Sequence, residues 1–333
     1  MTVRKGKHTI LFTMSDPLRA YRLRKEYSSR INRVIDYINQ HLCEELTLET
    51  LASVALFSPY HFHRVFHTMV GETLNGYINR LRLEKAAHKL HRNLNLSITE
   101  IALECGFSSS SAFTRAFKAF FQQSPRDYRS MFLESKGVCL PSEEQPYGNS
   151  SVPTFSQMPL EPSQYARFRG FTFNTRVEHL PSYNLAYIRL IGFKEFTFNE
   201  NINRTFDRLA CWLQARDLFS DDSLCIGLTY DDTEITDPER CRYMCCFTVP
   251  EGTVTEGEVG TVRTPASKYV VSRLEGQWAD YGELFGTTLE YLYGVWFPQS
   301  GYEPGEGLSY LEKYYRYKSG KLNMDLCVPV KPV

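Results

Sequence analysis

Apolar positions keep one period in the first part of the chain and another in the last part. From Ile31 the spacing is helical, with Ile31, Val34, Ile35 and Ile38 on one stripe. Helical patterns continue to about Leu133, while residues 1–28 show no clear period and read as an arm. The stretch "KGVCLPSEEQPYGNSSVPTFSQ", rich in Pro, Gly and Ser, reads as a linker. After it, "YNLAYIRLIG", "CRYMCCFTVP", "KYVVSRLEG" and "MDLCVPV" read as strands. "NRTFDRLACWLQARD" and "WADYGELFGTTLEYLYGVW" read as two helices among them, an α+β mixture. The expected organisation is an arm over 1–25, a helical domain over 26–134, a linker over 135–172 and an α+β domain over 173–333.

The helical part repeats itself. "LTLETLASVALFS" from Leu46 aligns with "LSITEIALECGFS" from Leu96 at an offset of 50 residues. After one inserted residue the offset is 51, and Phe62/Phe113, Arg64/Arg115, Phe66/Phe117 and Tyr77/Tyr128 coincide. Each copy predicts a short helix opened by Thr47 or Ser97, a tight turn and a second helix, the helix-turn-helix layout. Gly106 supplies a permissive turn in the second copy, where the first has Leu56.

In the second copy's second helix, Phe113, Phe117 and Phe120 fall on one face and are expected to anchor it. Ser111, Thr114, Arg115 and Lys118 share the opposite face, and Tyr60, His63, Arg64 and His67 take the same places in the first copy. Arginine suits guanine O6 and N7, while hydroxyls and imidazoles reach other base edges or phosphate. The run "SSSSAFTRAF" fits this use. Ser108 or Ser109 caps the helix, and Ser110 and Ser111 keep its N-terminus slim enough for a groove. The segment from about Leu74 to Asn93 predicts a connecting helix of about 27 Å, one that sets two reading helices about one DNA turn apart. A solvated amphipathic face explains either ridge alone, but not the same ridge twice in a matched turn context. His63 and His67 also stand at zinc-compatible i, i+4 spacing. No third ligand is obvious nearby, and no metal or cofactor is assigned.

Charge reinforces the division. Residues 1–136 hold 20 Lys/Arg against 12 Asp/Glu, and the rest hold 18 against 26. A basic half marks nucleic acid as a candidate partner. No apolar run approaches the roughly 20 residues of a membrane span, and "TILF" is too short for a signal core, so a cytoplasmic protein with reduced thiols is expected.

The acidic half has one histidine, His179, and no nucleophile elbow, phosphate loop or paired metal motif. In "CRYMCC", Cys241 and Cys245 fall on one strand face and Cys246 on the other, which reads as buried thiols. In "LSYLEKYYRY", Tyr310, Glu312 and Tyr314 share a face. A carboxylate among aromatics suits an organic cation, while an edge ion pair with Lys313 or Arg316 explains the same residues.

The segment from Ile31 to Leu133, above all "SITEIALECGFSSSSAFTRAFKAFFQQSPRDYR", resembles the DNA-binding domain of the AraC/XylS transcription factors. That likeness implies two helix-turn-helix units on a central helix, promoter DNA as ligand and RNA polymerase as a frequent partner. Residues 173–333, with "SGYEP", "LEKY" and the terminal "VPV", are similar to the GyrI-like effector-binding domain of Rob-type AraC proteins. The likeness implies two pseudo-symmetric βαββ halves around a cleft for amphipathic small molecules. It makes Glu312 the acidic contact, with Trp278, Tyr310, Tyr187 and Trp296 as aromatic candidates. The resulting expectation is a ligand-responsive transcriptional regulator and no enzyme; the alternative is a GyrI-like small-molecule hydrolase fused to a DNA-binding domain.

Overall fold

The computed structural model describes residues 17–92, 96–135, 168–192, 200–232, 235–305, 307–315 and 320–332. Residues 1–16 of the expected arm, most of the expected linker and Arg316 lie outside them.

Seven helices build the first domain. They are α1 (Pro17–Gln40), α2 (Leu48–Ala55), α3 (Pro59–Val70), α4 (Leu74–Arg92), α5 (Ile98–Glu104), α6 (Ser110–Phe121) and α7 (Pro125–Ser135). α1 starts well before Ile31, so residues 17–25 of the expected arm are helical. Proline suits a first helical turn, and Tyr27 on the next turns packs edge-on against Phe57 and His61. These aromatics anchor the helix without contributing to the Ile/Val stripe.

The capping follows the sequence. Thr47 accepts from the Thr50 amide, Ser97 forms a reciprocal capping box with Glu100, and Ser109 accepts from the Ala112 amide. α3 departs from the pattern, since Ser58 makes no side-chain cap and Pro59 opens the helix. Gly106 takes φ +83°, and Leu56 is forced into the same left-handed region at φ 55°. The two units have separate cores, Phe62 and Phe66 against α1 and α4 in the first, Phe113 and Phe117 against α4 and α5 in the second. Phe120 is not an anchor, being 40% exposed. The core side of α6 is turned toward α7, so Phe121 takes the inward place and packs on Tyr128.

The second domain is one antiparallel sheet. Its strands are β1 (Asn174–Leu180), β2 (Asn184–Ile191), β3 (Cys225–Thr229), β4 (Arg242–Thr248), β5 (Val259–Arg263), β6 (Ser267–Gly276), β7 (Tyr302–Pro304), β8 (Tyr310–Tyr314) and β9 (Leu322–Pro332). The order β1-β6-β9-β8-β3-β4-β2-β5, with β7 on β9, reads alike from either end. Exchanging β1, β2, β3 and β4 with β5, β6, β8 and β9 maps the eight-strand path onto itself, as the two expected βαββ halves require. Each half has its helix: α8 (Glu200–Gln214) in the first, α9 (Tyr281–Tyr291) and α10 (Phe297–Ser300) in the second. A π-helical turn, Leu292–Trp296, joins α9 to α10 where the sequence reads as one helix. The helices cover one face of the sheet, that of Cys241, Cys245, Tyr310 and Tyr314; Tyr187, Cys246 and Leu311 lie on the other. The cysteines alternate as read.

The domains meet along α1 and α4. Asp36 receives the Arg189 guanidinium and the Tyr187 hydroxyl, and Asn32 Oδ1 accepts from Arg189 Nη1 at 2.9 Å. Asn32 Nδ2 donates to the Glu258 carbonyl at 3.1 Å. Arg242 reaches Asn39 Oδ1 at 2.6 Å and the Tyr77 hydroxyl at 3.5 Å while bound to Asp231. Ile235 packs onto the second unit's core. Although the first half is basic and the second acidic, the Asp36–Arg189 pair runs the opposite way.

Candidate functional site

Two ridges face solvent on the helical domain. On α3, Tyr60, His63, Arg64 and His67 are exposed, with the Arg64 guanidinium 5.9 Å from the Tyr60 ring centroid. On α6, Ser111, Arg115 and Lys118 are exposed and Thr114 is half-buried. Ser109 is the exposed cap, and Ser110 is the half-buried first residue of the helix. Among the described residues, Arg64, Arg115 and Lys118 make no ion pair. A solvated structural face normally intersperses carboxylates with its cations; these ridges carry none. α4 holds the two units apart over 19 residues, about 28 Å. It is fixed to the turn after α1 by Arg82, which donates to the carbonyls of Leu42 at 2.9 Å and Glu44 at 2.6 Å.

The second locus is Glu312, 1% exposed on β8. Its strand lies between β3 and β9, so it is not at a sheet edge. Lys313 alternates to the other face, and the carboxyl is held by tyrosines instead of an ion pair. Tyr243 and Tyr281 donate one to each oxygen, and Tyr314 donates at 2.9 Å. Burial pushes the Glu312 carboxyl above the ordinary range, and the three hydroxyls oppose that rise. Burial, followed by the Glu312 charge, raises Tyr243, Tyr281 and Tyr314 well above the usual phenol range, so all three remain donors at neutral pH. The result is a dry carboxyl with hydrogen bonds but no cationic partner among the described residues.

Gly227 makes this cluster possible. A Cβ there would lie 2.0 Å from the Tyr243 hydroxyl and 2.5 Å from Glu312 Oε2. Trp278, half-buried, lies over Tyr281 and Tyr314 with ring centroids 6.4 and 6.1 Å away. Tyr310 shares the Glu312 face, but its ring packs edge-on to Phe285. Trp296 stacks on Tyr302 beside α10. Tyr187 is on the opposite face with its hydroxyl on Asp36, so it belongs to the domain contact and not to this cluster. The sequence reading missed Tyr243, Tyr281 and Gly227. "CRYMCC" and "WADYGE" displayed both tyrosines, but nothing local to them indicated a partner on β8.

The architecture defines a two-domain protein in which a tandem helix-turn-helix unit is joined to a pseudo-symmetric α+β domain with a buried carboxyl. A profile described as "Helix-turn-helix domain" matches residues 51–131, and one described as "GyrI-like small molecule binding domain" matches residues 173–331. Among curated proteins, the chain is 40% identical over 101 residues to the HTH-type transcriptional activator RhaS of Enterobacter sp. (strain 638). That match covers 30% of this chain and 36% of the relative. It is 38% identical over 108 residues to the uncharacterized HTH-type transcriptional regulator YbfP of Bacillus subtilis (strain 168), covering 31% and 35%. The chain spans about a third of the length of these relatives. Among solved structures, the DNA-binding domain of AdpA in complex with a target DNA is similar at 28% identity and a TM-score of 0.32. That match covers 33% of this chain and 97% of that one. Residues 51–131 are thus similar to helix-turn-helix domains, and residues 173–331 to GyrI-like small-molecule-binding domains. Among the described residues, no helix is long and apolar enough to cross a membrane.

Proposed function

We propose that the chain is a ligand-responsive transcriptional regulator acting on promoter DNA in the cytoplasm. α3 and α6 enter neighbouring major grooves on one face of the duplex. The α+β domain binds a small amphipathic or cationic effector at Glu312, between the tyrosine donors and Trp278. The observation that carries the reading is the pair of matched, solvent-facing ridges whose cations have no carboxylate partners among the described residues. One chain then reads a non-palindromic site. RNA polymerase is the protein partner this activity calls for, and transcription from a cognate promoter with purified components tests that contact.

Arg115→Ala tests the DNA reading. Loss of a bidentate guanine contact costs about 1–3 kcal/mol at one base position and relaxes preference there. An equal loss on every sequence, with a reduced salt slope, makes Arg115 a phosphate contact instead. A full-length protein with no preference for any duplex sinks the proposal. For the effector, a buried carboxylate lacking a cation is the partner a lipophilic cation needs. Glu312→Gln therefore weakens such ligands far more than neutral ones of the same shape. Turnover of the ligand by the wild-type protein, lost in Glu312→Gln, would favour a hydrolase.

A further inference from the structure

The contact between the domains leaves a partly open cavity of about 270 Å³. The end of α1 and the face of α4 wall one side; the segment between β3 and β4, β7 and β9 wall the other. Glu312 is not among its lining residues, so this space is separate from the carboxyl–tyrosine cluster. The volume falls just below the range typical of drug-sized ligands. It fits a small metabolite.

Pairing in the walls leaves an imbalance of charge. Each lining carboxylate has a basic group within 4.0 Å, as in Asp231 with Arg242 and Glu303 with Lys331. Lys85 on α4 is different. Among the described residues its hydrogen-bond partner is a thiol, with Nζ donating to Cys43 Sγ at 3.1 Å. An ammonium facing a cavity with no carboxylate within 4.0 Å among the described residues attracts an anion. Across the cavity, Thr236 is 2% exposed and its Oγ1 has no hydrogen-bond partner. Buried hydroxyls in folded proteins are nearly always bonded, so an unpartnered one in a cavity wall marks a place for an oxygen or nitrogen from outside the chain.

We infer that this cavity is a second ligand site, taking a small organic carboxylate whose anionic end sits on Lys85 Nζ and whose other oxygen meets Thr236 Oγ1. Lys85 belongs to the helix-turn-helix domain and Thr236 to the α+β domain, so the occupant bridges them. At a concentration of 100 times its Kd, such a ligand multiplies the docked population about 100-fold over the undocked one.

Calorimetric titration of the full chain with lactate, succinate and gluconate, beside glycerol, succinamide and inorganic phosphate, tests this. At least one carboxylate binds at one per chain, and its uncharged analogue binds about tenfold or more weakly. Lys85→Gln abolishes the difference, Lys85→Arg retains it, and Thr236→Val weakens binding several-fold. Lys321→Gln, the same charge change at an exposed site, leaves binding unchanged. The inference is overturned if no carboxylate binds, if Lys85→Gln binds as wild type, or if Lys321→Gln weakens binding equally. Phosphate binding with the same Lys85 dependence assigns a general oxyanion site and overturns the carboxylate class.

Discussion

Asp36→Ala is the sharpest perturbation of the domain contact, and its size follows from the geometry. The carboxylate serves two groups of the other domain, Arg189 Nη2 on Oδ1 and the Tyr187 hydroxyl on Oδ2. The Arg189 side chain is 3% exposed and its Nε has no partner, so the guanidinium has little water to fall back on. A hydrogen bond to a charged group contributes about 1.5–3 kcal/mol, so losing two predicts about 3–6 kcal/mol. Stranding one member of a buried ion pair costs about 3–5 kcal/mol by a separate line of reasoning. The overlap lies near 4 kcal/mol. There is a ceiling, because the domains separate and hydrate Arg189 once the strain exceeds their docking free energy. Urea unfolding of Asp36→Ala therefore shows either a stability loss of about 3–5 kcal/mol in one transition or two separated transitions. Arg189→Met in the Asp36→Ala background removes the stranded charge and recovers most of the loss. A single transition within about 0.5 kcal/mol of wild type, the range of ordinary surface substitutions, would refute the reasoning. Strict additivity of the two substitutions would do the same.

Leu56 is 68% exposed in the left-handed region, where a Cβ costs about 1–2 kcal/mol. Part of that gain is offset by glycine's unfolded-state entropy, so Leu56→Gly raises stability by about 0.5–1 kcal/mol in thermal unfolding; a loss contradicts the strain. Gly227→Ala drives a methyl into the Tyr243 hydroxyl and Glu312, and destabilises by about 1–3 kcal/mol or more; a neutral result means the cluster is loose. Burial lifts the Glu84 carboxyl to about 7 against the attraction of Arg80. Its folded value exceeds the unfolded one, so the folded state binds more protons between about pH 4.5 and 7 and stability falls as pH rises through that window. At 1.36 kcal/mol per unit, the fall is at most about 3 kcal/mol. Glu84→Gln flattens that slope in denaturant titrations at successive pH values, and an unchanged slope assigns it to other groups.

The sequence displayed what depends on local rules. The repeat, the caps at Thr47, Ser97 and Ser109, and the ridges on α3 and α6 all follow from spacing within one helix. Glu312 and its two flanking tyrosines were equally legible, since alternation along β8 is enough to place them together. Tyr243, Tyr281 and Gly227 were not legible, because sheet register and the turn before α9 bring them to Glu312 from elsewhere in the chain. β3 and β4 are buried on both faces, so they offer no polar side from which parity can be read. Tyr187 was misplaced on the same account: β2 hides residues of both faces at its centre. Asn32, Asp36 and Asn39 resemble any solvated helical face until the partner arginines of β2 and β4 arrive. Polar contacts between domains leave no period in either segment.

If an effector takes Glu312 as proposed, β4 links that site to the helical domain. Tyr243 and Arg242 are adjacent and point to opposite faces. The first donates to Glu312, and the second holds Asn39 of α1 and Tyr77 of α4. A cationic ligand that takes Glu312 from its tyrosines must shift Tyr243, and a closely packed strand transmits that shift to the next residue. The coupling has a measurable magnitude: typical coupling energies of about 1–3 kcal/mol change affinity about 5- to 150-fold, and the change is reciprocal. A lipophilic cation therefore alters amide exchange in α1 and α4 near Asn39 and Tyr77 as well as in β4. Its affinity for the DNA-bound protein differs from that for the free protein by the same factor as it changes DNA affinity. Equal effector affinity with and without DNA, while Glu312→Gln still abolishes effector binding, leaves the ligand site intact and removes β4 as the link.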